Sequence, residues 1–310
     1  MIGEKVITIL QQNYGENIKI AFCPYKYSMF DCMESVYLAA VDAGLETAIV
    51  PLDYQTLPDG EWHNEREYFF PYATLPFEEV QSGNYDIIVI HYPYDGCNNV
   101  TKLPKSEWAE TLKQYGKVCY IPYHGNIAGE QWSRFYRMPG ARDSDIIVLG
   151  SMLDYEVFKR ENPNYSGKII TTTGSPKEDA AEIHKNRAIP SEWRDLKKPI
   201  IVVSGTLWTF THDPYGRMQK HAEIIEKELK KGNSVIYRPH PLVFPAIKAM
   251  RPEAASKYCD FLDMVREMGA ILDDKPDLHR TLAAADFLYT DPSSVIKTYK
   301  PYCKPYEVIE

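Results

Sequence analysis

Short, nearly continuous apolar runs punctuate the chain: Asp86-Ile87-Ile88-Val89-Ile90-His91, Val118-Cys119-Tyr120-Ile121, Asp145-Ile146-Ile147-Val148-Leu149 and Ile200-Ile201-Val202-Val203. Runs of about four to eight apolar residues closed by turn residues read as strands buried on both faces, as in a parallel sheet. Between them the apolar positions take helical spacing. Val6, Ile9 and Leu10 predict a first helix over 2–14, ended by Gly15, and strands at 18–23 and 47–51 flank a helix over 29–43 closed by Gly44. Residues 53–77 are polar and aromatic without a period, which predicts a long functional or mobile loop. Strands at 86–91, 118–121, 144–150 and 168–171 then alternate with helices at 105–115 and 152–160.

Polar positions take over at 185–198, where Pro190, Arg194, Lys197 and Lys198 mark a linker. It divides a domain over 1–184 from a second over 199–310. In the second, strands at 199–205, 235–237, 270–272, 287–289 and 306–309 alternate with helices at 215–231, up to 268, 277–284 and 293–299. Alternating elements in both halves imply parallel sheets with right-handed crossovers. The expected fold class is α/β, with two Rossmann-like domains whose sheets face a central cleft.

Composition narrows the function. A formal charge of −8 argues against broad nucleic-acid binding and leaves no polybasic face for anionic lipid. The 23 tyrosines exceed what core packing calls for, which suggests that some line a polar cleft. Six cysteines without a CxxC pair read as free thiols of a reducing compartment, so the expected location is cytoplasmic, with peripheral attachment to the inner membrane face left open. No segment approaches the length of a membrane span, and the N-terminus carries no leader pattern.

Two strand ends carry candidate chemistry. In Phe287-Leu288-Tyr289-Thr290-Asp291-Pro292-Ser293-Ser294, Asp291 fits a helix N-cap and Pro292 the first helical position. Ser293 and Ser294 would then lie in a first turn suited to a phosphate, or would satisfy only their own backbone. In Tyr237-Arg238-Pro239-His240-Pro241 two prolines fix the backbone around an Arg and a His. Ligands of parallel sheets sit outside the carboxyl ends of the strands, so Arg238, His240, Ser293 and Ser294 are expected on one phosphorylated ligand. His91 and His124 also follow strands. His184, His221 and His279 fall on the linker or on expected exposed helical faces and carry no expected role. No His, Cys or carboxylate grouping has zinc spacing, and the diphosphate itself leaves room for a loosely held Mg²⁺.

These motifs resemble the CDP-glycerol glycerophosphotransferases, a family of the glycosyltransferase-B type that includes teichoic acid polymerases. Arg238-Pro239-His240-Pro241 is similar to the family's Lys/Arg-x-His-Pro motif, and Thr290-Asp291-Pro292-Ser293-Ser294-Val295 to its Thr-Asp-Tyr-Ser-Ser-Val motif. Pro122-Tyr123-His124-Gly125-Asn126 resembles the Trp-His-Gly-Thr motif, and Gly174-Ser175-Pro176-Lys177-Glu178-Asp179 the Gly-x-Pro-Arg-Asn-Asp stretch. Pro24-Tyr25-Lys26 and His91-Tyr92-Pro93-Tyr94-Asp95-Gly96-Cys97-Asn98 look like those of an offshoot of the family. The lysines that follow His-Gly-Thr in the polymerases are absent, which makes lipid-linked acceptors less expected.

The resemblance implies transfer of glycerophosphate, or a similar polyol phosphate, from a CDP-alcohol to the hydroxyl of a polyol-phosphate or glycan acceptor in cell-wall or capsular polymer synthesis, releasing CMP. His124 is then the candidate base, while His240 and Arg238 hold the pyrophosphate and Ser293 and Ser294 bind it. Thr206 and His212 are candidate nucleotide contacts. His91, Asp95 and Asn98 are either acceptor contacts or a structural turn, the turn being favoured. A nucleotide-sugar glycosyltransferase or epimerase on the same scaffold, and a non-catalytic nucleotide-binding domain of a cell-envelope assembly, stay open beside this reading. The family's architecture returns a C-terminal helix to the first domain, and the chain offers no residues for one, so either hinged domains or a fragment of a longer protein is expected.

Overall fold

A computed structural model of the chain describes residues 1–57, 59–69, 72–125 and 130–310. The chain forms two compact units, Met1–Thr56 with Gly60–Ala180, and Ala181–Glu310 with Leu57–Asp59.

The first unit is built on strands β1 (Ile20–Cys23), β2 (Thr47–Ile49), β3 (Tyr54–Thr56), β4 (Trp62–His63), β5 (Ile87–Ile90), β6 (Thr101–Lys102), β7 (Lys117–Tyr120), β8 (Ile146–Leu149) and β9 (Lys168–Thr171). Six of these make an all-parallel sheet in the order β2-β1-β5-β7-β8-β9. The runs read as buried strands are buried on both faces: every residue of β1, β5 and β8 is inaccessible to solvent. Helices α1 (Ile2–Tyr14) and α2 (Glu34–Asp42) pack together over a core that includes Val6, Leu10, Phe22, Val36 and Val89. Gly3 allows this contact, because a Cβ there would lie 2.3 Å from the Ser35 carbonyl oxygen.

Residues 53–77 depart from the expected loop. β3 pairs antiparallel with β4 and β6 into a separate small sheet. Its strands are two or three residues long, too short to show a period. A buried ion pair pins this insertion to the turn after β1: the Lys26 ammonium lies 2.9 Å from Glu65 and 2.7 Å from the Tyr54 hydroxyl.

The second unit carries β10 (Ile200–Ser204), β11 (Ser234–Arg238), β12 (Ile271–Leu272), β13 (Phe287–Thr290) and β14 (Tyr306–Val308), all parallel, in the order β12-β11-β10-β13-β14. The boundary between the units falls within helix α4 (Pro176–His184), α3 being Met152–Glu161. The stretch read as a linker is folded onto the second unit. Trp193 is buried with Ile200, Val202 and Leu282, and its ring faces the Arg280 guanidinium at 4.3 Å. Helices α5 (Leu207–His212), α6 (Pro214–Lys230), α7 (Val243–Met250), α8 (Ala255–Glu267), α9 (Leu278–Ala284) and α10 (Val295–Tyr299) complete this unit.

Seven tyrosines serve the core: Tyr25, Tyr92, Tyr120, Tyr136, Tyr237, Tyr258 and Tyr299 are among the largest fully buried side chains. Cys23, Cys32 and Cys119 are free thiols within the core, and Cys97, Cys259 and Cys303 are free and exposed. No helix among the described residues is long and apolar enough to cross a membrane.

Candidate functional site

In each sheet the chain starts at an inner strand, runs outward on one side, then jumps back to build the other side. The strand order puts these reversal points between β1 and β5 in the first unit and between β10 and β13 in the second. A crevice opens at the carboxyl ends of strands at such a point, because the flanking loops turn away from each other.

In the second unit the parallel register sets Ser204, Arg238 and Thr290 side by side. The three loops that follow therefore leave the sheet from one edge: Gly205-Thr206, Pro239-His240 and Asp291 to Ser294. Asp291 organises them. It does not cap the helix after it, which begins only at Val295 with Ser294 at its N-cap. Its carboxylate is fully buried and accepts from the Thr206 amide at 2.9 Å, the Thr209 hydroxyl at 2.5 Å, His221 Nε2 at 3.1 Å and Arg217 at 3.3 Å. Burial alone would raise its pKa, but these donors, His221 foremost, hold it below the ordinary carboxylate value. With its charge neutralised inward, Asp291 does not oppose an anion at Ser293 and Ser294. These two residues are half-buried and exposed respectively, and the Ser293 hydroxyl lies 3.5 Å from that of Thr290.

Arg238 points inward. It is 4% exposed, and its guanidinium turns into the domain, meeting Asp273 at 2.5 Å, Thr281 at 3.0 Å and the Lys275 carbonyl at 2.8 Å. Even and odd positions of a strand point to opposite faces, and Tyr237 to Arg238 carries the guanidinium to the face occupied by α9. Within the second unit the Arg238 guanidinium thus ties the end of β11 to Asp273, Thr281 and the Lys275 carbonyl. His240, two residues on, is half-buried, and its Nδ1 accepts from the Leu242 amide at 3.1 Å. That bond puts the ring proton of neutral His240 on Nε2, making Nε2–H a donor. Thr206 is the N-cap of α5, and the exposed His212 at its end stacks on Trp208 with ring centroids 5.6 Å apart.

In the first unit the loop after β5 is largely interior. His91 is fully buried, and its Nε2 accepts from the Tyr25 amide at 3.2 Å, stitching β5 to the turn after β1. Burial pushes its pKa down to about 3. Asp95, in a left-handed turn at φ 48°, is also buried and accepts from the Ala109 amide at 3.4 Å. Asn98 accepts from the Val100 amide at 3.0 Å and donates to Thr101. These bonds hold the segment in a turn, with His91 in the interior.

His124 differs. It follows β7, and its Nδ1–H donates to the Gly125 carbonyl at 3.1 Å, which leaves the lone pair on Nε2. Among the described residues Nε2 has no hydrogen-bond partner. Burial lowers its pKa to about 4, the Gly125 bond works against this, and the positive charge of Lys177 adds to it. Lys177, in the first turn of α4, is held by Asp31 at 2.9 Å. Asn126, the last residue of that motif, lies outside the described residues.

No protein-family model matches the chain, and no curated protein matches it in sequence. Solved structures do match in fold. The UDP-GlcNAc 2-epimerase of Methanocaldococcus jannaschii, solved with UDP-GlcNAc and UDP, superposes with a TM-score of 0.58 at 13% identity, over 93% of this chain and 83% of the epimerase. Another UDP-N-acetylglucosamine 2-epimerase gives 0.57 at 12% identity, over 95% and 79%. The wall teichoic acid polymerase TagF gives 0.51 at 15% identity, over 98% of this chain and 73% of TagF. The fold is of the glycosyltransferase-B type.

Two histidines of the second unit lie elsewhere than their helical faces suggested. His221, expected on an exposed face, is fully buried against Asp291, and His279 is buried with Nδ1 2.9 Å from the Tyr302 hydroxyl. Helical spacing marks both. His221 follows Met218 by three residues and precedes Ile225 by four, all three being buried residues of α6.

Proposed function

We propose that the chain is a transferase that moves glycerophosphate, or a similar polyol phosphate, from a CDP-activated donor to an acceptor hydroxyl. The observation that carries this reading is the alignment of Ser204, Arg238 and Thr290, which brings the loops bearing His240, Ser293 and Ser294 to one strand edge. The motif resemblance supports the same chemistry, as does the fold shared with TagF, a variant of which was solved after a soak with CDPG.

In this reading the second unit holds the donor diphosphate. His240 Nε2–H and the serine hydroxyls donate to its oxygens, while Asp291 fixes the loops from below. The acceptor oxygen attacks the β-phosphorus. The new O–P bond forms as the bond to the bridging oxygen breaks, and CMP departs with that electron pair. His124 Nε2 takes the hydroxyl proton. Burial holds this imidazole in its neutral form at physiological pH, the form with a lone pair on Nε2.

A sugar-nucleotide epimerase or glycosyltransferase is the second reading, favoured by the epimerase superpositions. Calorimetry with CDP-glycerol, CMP, UDP-GlcNAc and UDP separates the two. Cytidine-selective binding, weakened in His240→Gln, supports the CDP-alcohol reading. Turnover measured as CMP release should then fall about 10²- to 10⁴-fold in His124→Gln with donor affinity unchanged. Uridine selectivity would transfer the argument to the second reading, and absence of nucleotide binding would defeat both.

A further inference from the structure

Trp208 stands out on the second unit. At 66% accessible it is the most exposed of the large hydrophobic side chains among the described residues, and it lies four positions beyond the end of β10. Its helix is not loosely held. The Thr206 amide and Thr209 hydroxyl both bind the buried Asp291, the Thr211 hydroxyl returns to the Leu207 and Trp208 carbonyls, and Arg251 Nε binds the Thr211 carbonyl at 2.8 Å. The His212 ring lies against the indole at an interplanar angle of 14°. The arrangement is a flat aromatic surface, backed by a second ring, on a short helix clamped at both ends. With one face against His212, the indole presents its other face for stacking.

Its place selects the occupant. One lip of the reversal point between β10 and β13 carries Ser293 and Ser294, and the other leads through Thr206 into the helix of Trp208. A phosphate on the first lip and a planar ring on the second are the two ends of one mononucleotide. We propose that Trp208, backed by His212, is the stacking surface for the nucleobase of the donor. The assignment rests on the reading of the second unit as the nucleotide-binding one. Stacking needs only a π-face, so Trp208 supplies affinity without telling cytosine from uracil.

The test is calorimetric titration of the full chain with CMP and, separately, with UMP, on wild type, Trp208→Phe and Trp208→Ala. Unchanged thermal unfolding of both variants controls for misfolding. Trp208→Ala should weaken whichever nucleotide binds by about 5- to 100-fold, with Trp208→Phe retaining most of the affinity. Equal affinity in wild type and Trp208→Ala would overturn the assignment while leaving the proposed function standing. A wild type that binds neither nucleotide would overturn both.

Discussion

Asp291→Ala is the sharpest probe of how the second unit holds its candidate site. The carboxylate is fully buried and accepts from four donors, and its removal leaves the Thr206 amide, the Thr209 hydroxyl and the buried His221 without this acceptor. Breaking a buried charge pair from one side costs about 3–5 kcal/mol, much of it the desolvation of the groups left behind. At roughly 4 °C per kcal/mol for a unit of this size, the unfolding midpoint should drop by roughly 12–20 °C. Differential scanning calorimetry, with near-ultraviolet circular dichroism to follow the aromatic core, reads the change. Asp291→Asn keeps one acceptor oxygen and should fall between the two. The pH dependence carries a sign. Because the folded-state pKa is depressed, the contribution is present above the usual Asp value of about 3.9 and is lost as pH falls through the lower folded value. Wild type should therefore lose stability on acidification more steeply than Asp291→Asn. A midpoint for Asp291→Ala within about 2 °C of wild type would refute the claim that this carboxylate ties the loops together.

Arg238→Met tests whether this guanidinium holds the end of β11. Asp273 would keep the Thr281 hydroxyl and Arg280 at 3.7 Å but lose its nearest cation, at a cost of up to about 3–5 kcal/mol in denaturant unfolding, and Arg238→Met with Asp273→Leu should recover much of it; a stable single variant with weakened donor binding would instead make Arg238 a ligand. Glu107, buried beneath the Asp53 amide at 2.9 Å, has its pKa raised by burial to about 8. A raised folded-state pKa means stability is lost as pH climbs toward that value, so Glu107→Gln should gain on wild type between about pH 5 and 8, by up to about 1.4 kcal/mol per pH unit; a stability difference flat in pH would count against it.

The strands were legible because burial on both faces leaves a sequence mark that local reading detects, as in Ile87-Ile88-Val89-Ile90. What stayed hidden was set by contacts between distant residues. Asp291 followed by Pro292 has the local form of a helix start, yet its partners lie 85, 82 and 70 residues away. Arg238 and His240 look equivalent in a Lys/Arg-x-His-Pro motif. Only the packing of Asp273 and Thr281 on one face shows that the first is interior while the second belongs to the loop. The antiparallel insertion escaped for a different reason. Strands of two or three residues carry no period, and Lys26 with Glu65, which hold the insertion in place, are the kind of residues expected on a surface.

The six cysteines divide the molecule in a way that serves experiment. Cys23, Cys32 and Cys119 lie within the core, where burial pushes their thiols up, Cys119 to about 12, so almost no thiolate forms there at neutral pH. Cys97 is exposed on the first unit, and Cys259 and Cys303 on the second. A maleimide dye will select these three. Removing Cys303 leaves one reactive thiol on each unit, a pair of labelling points already present in the native chain. Single-molecule energy transfer between Cys97 and Cys259 would then follow the separation of the two units as nucleotide is added, without any cysteine having to be introduced.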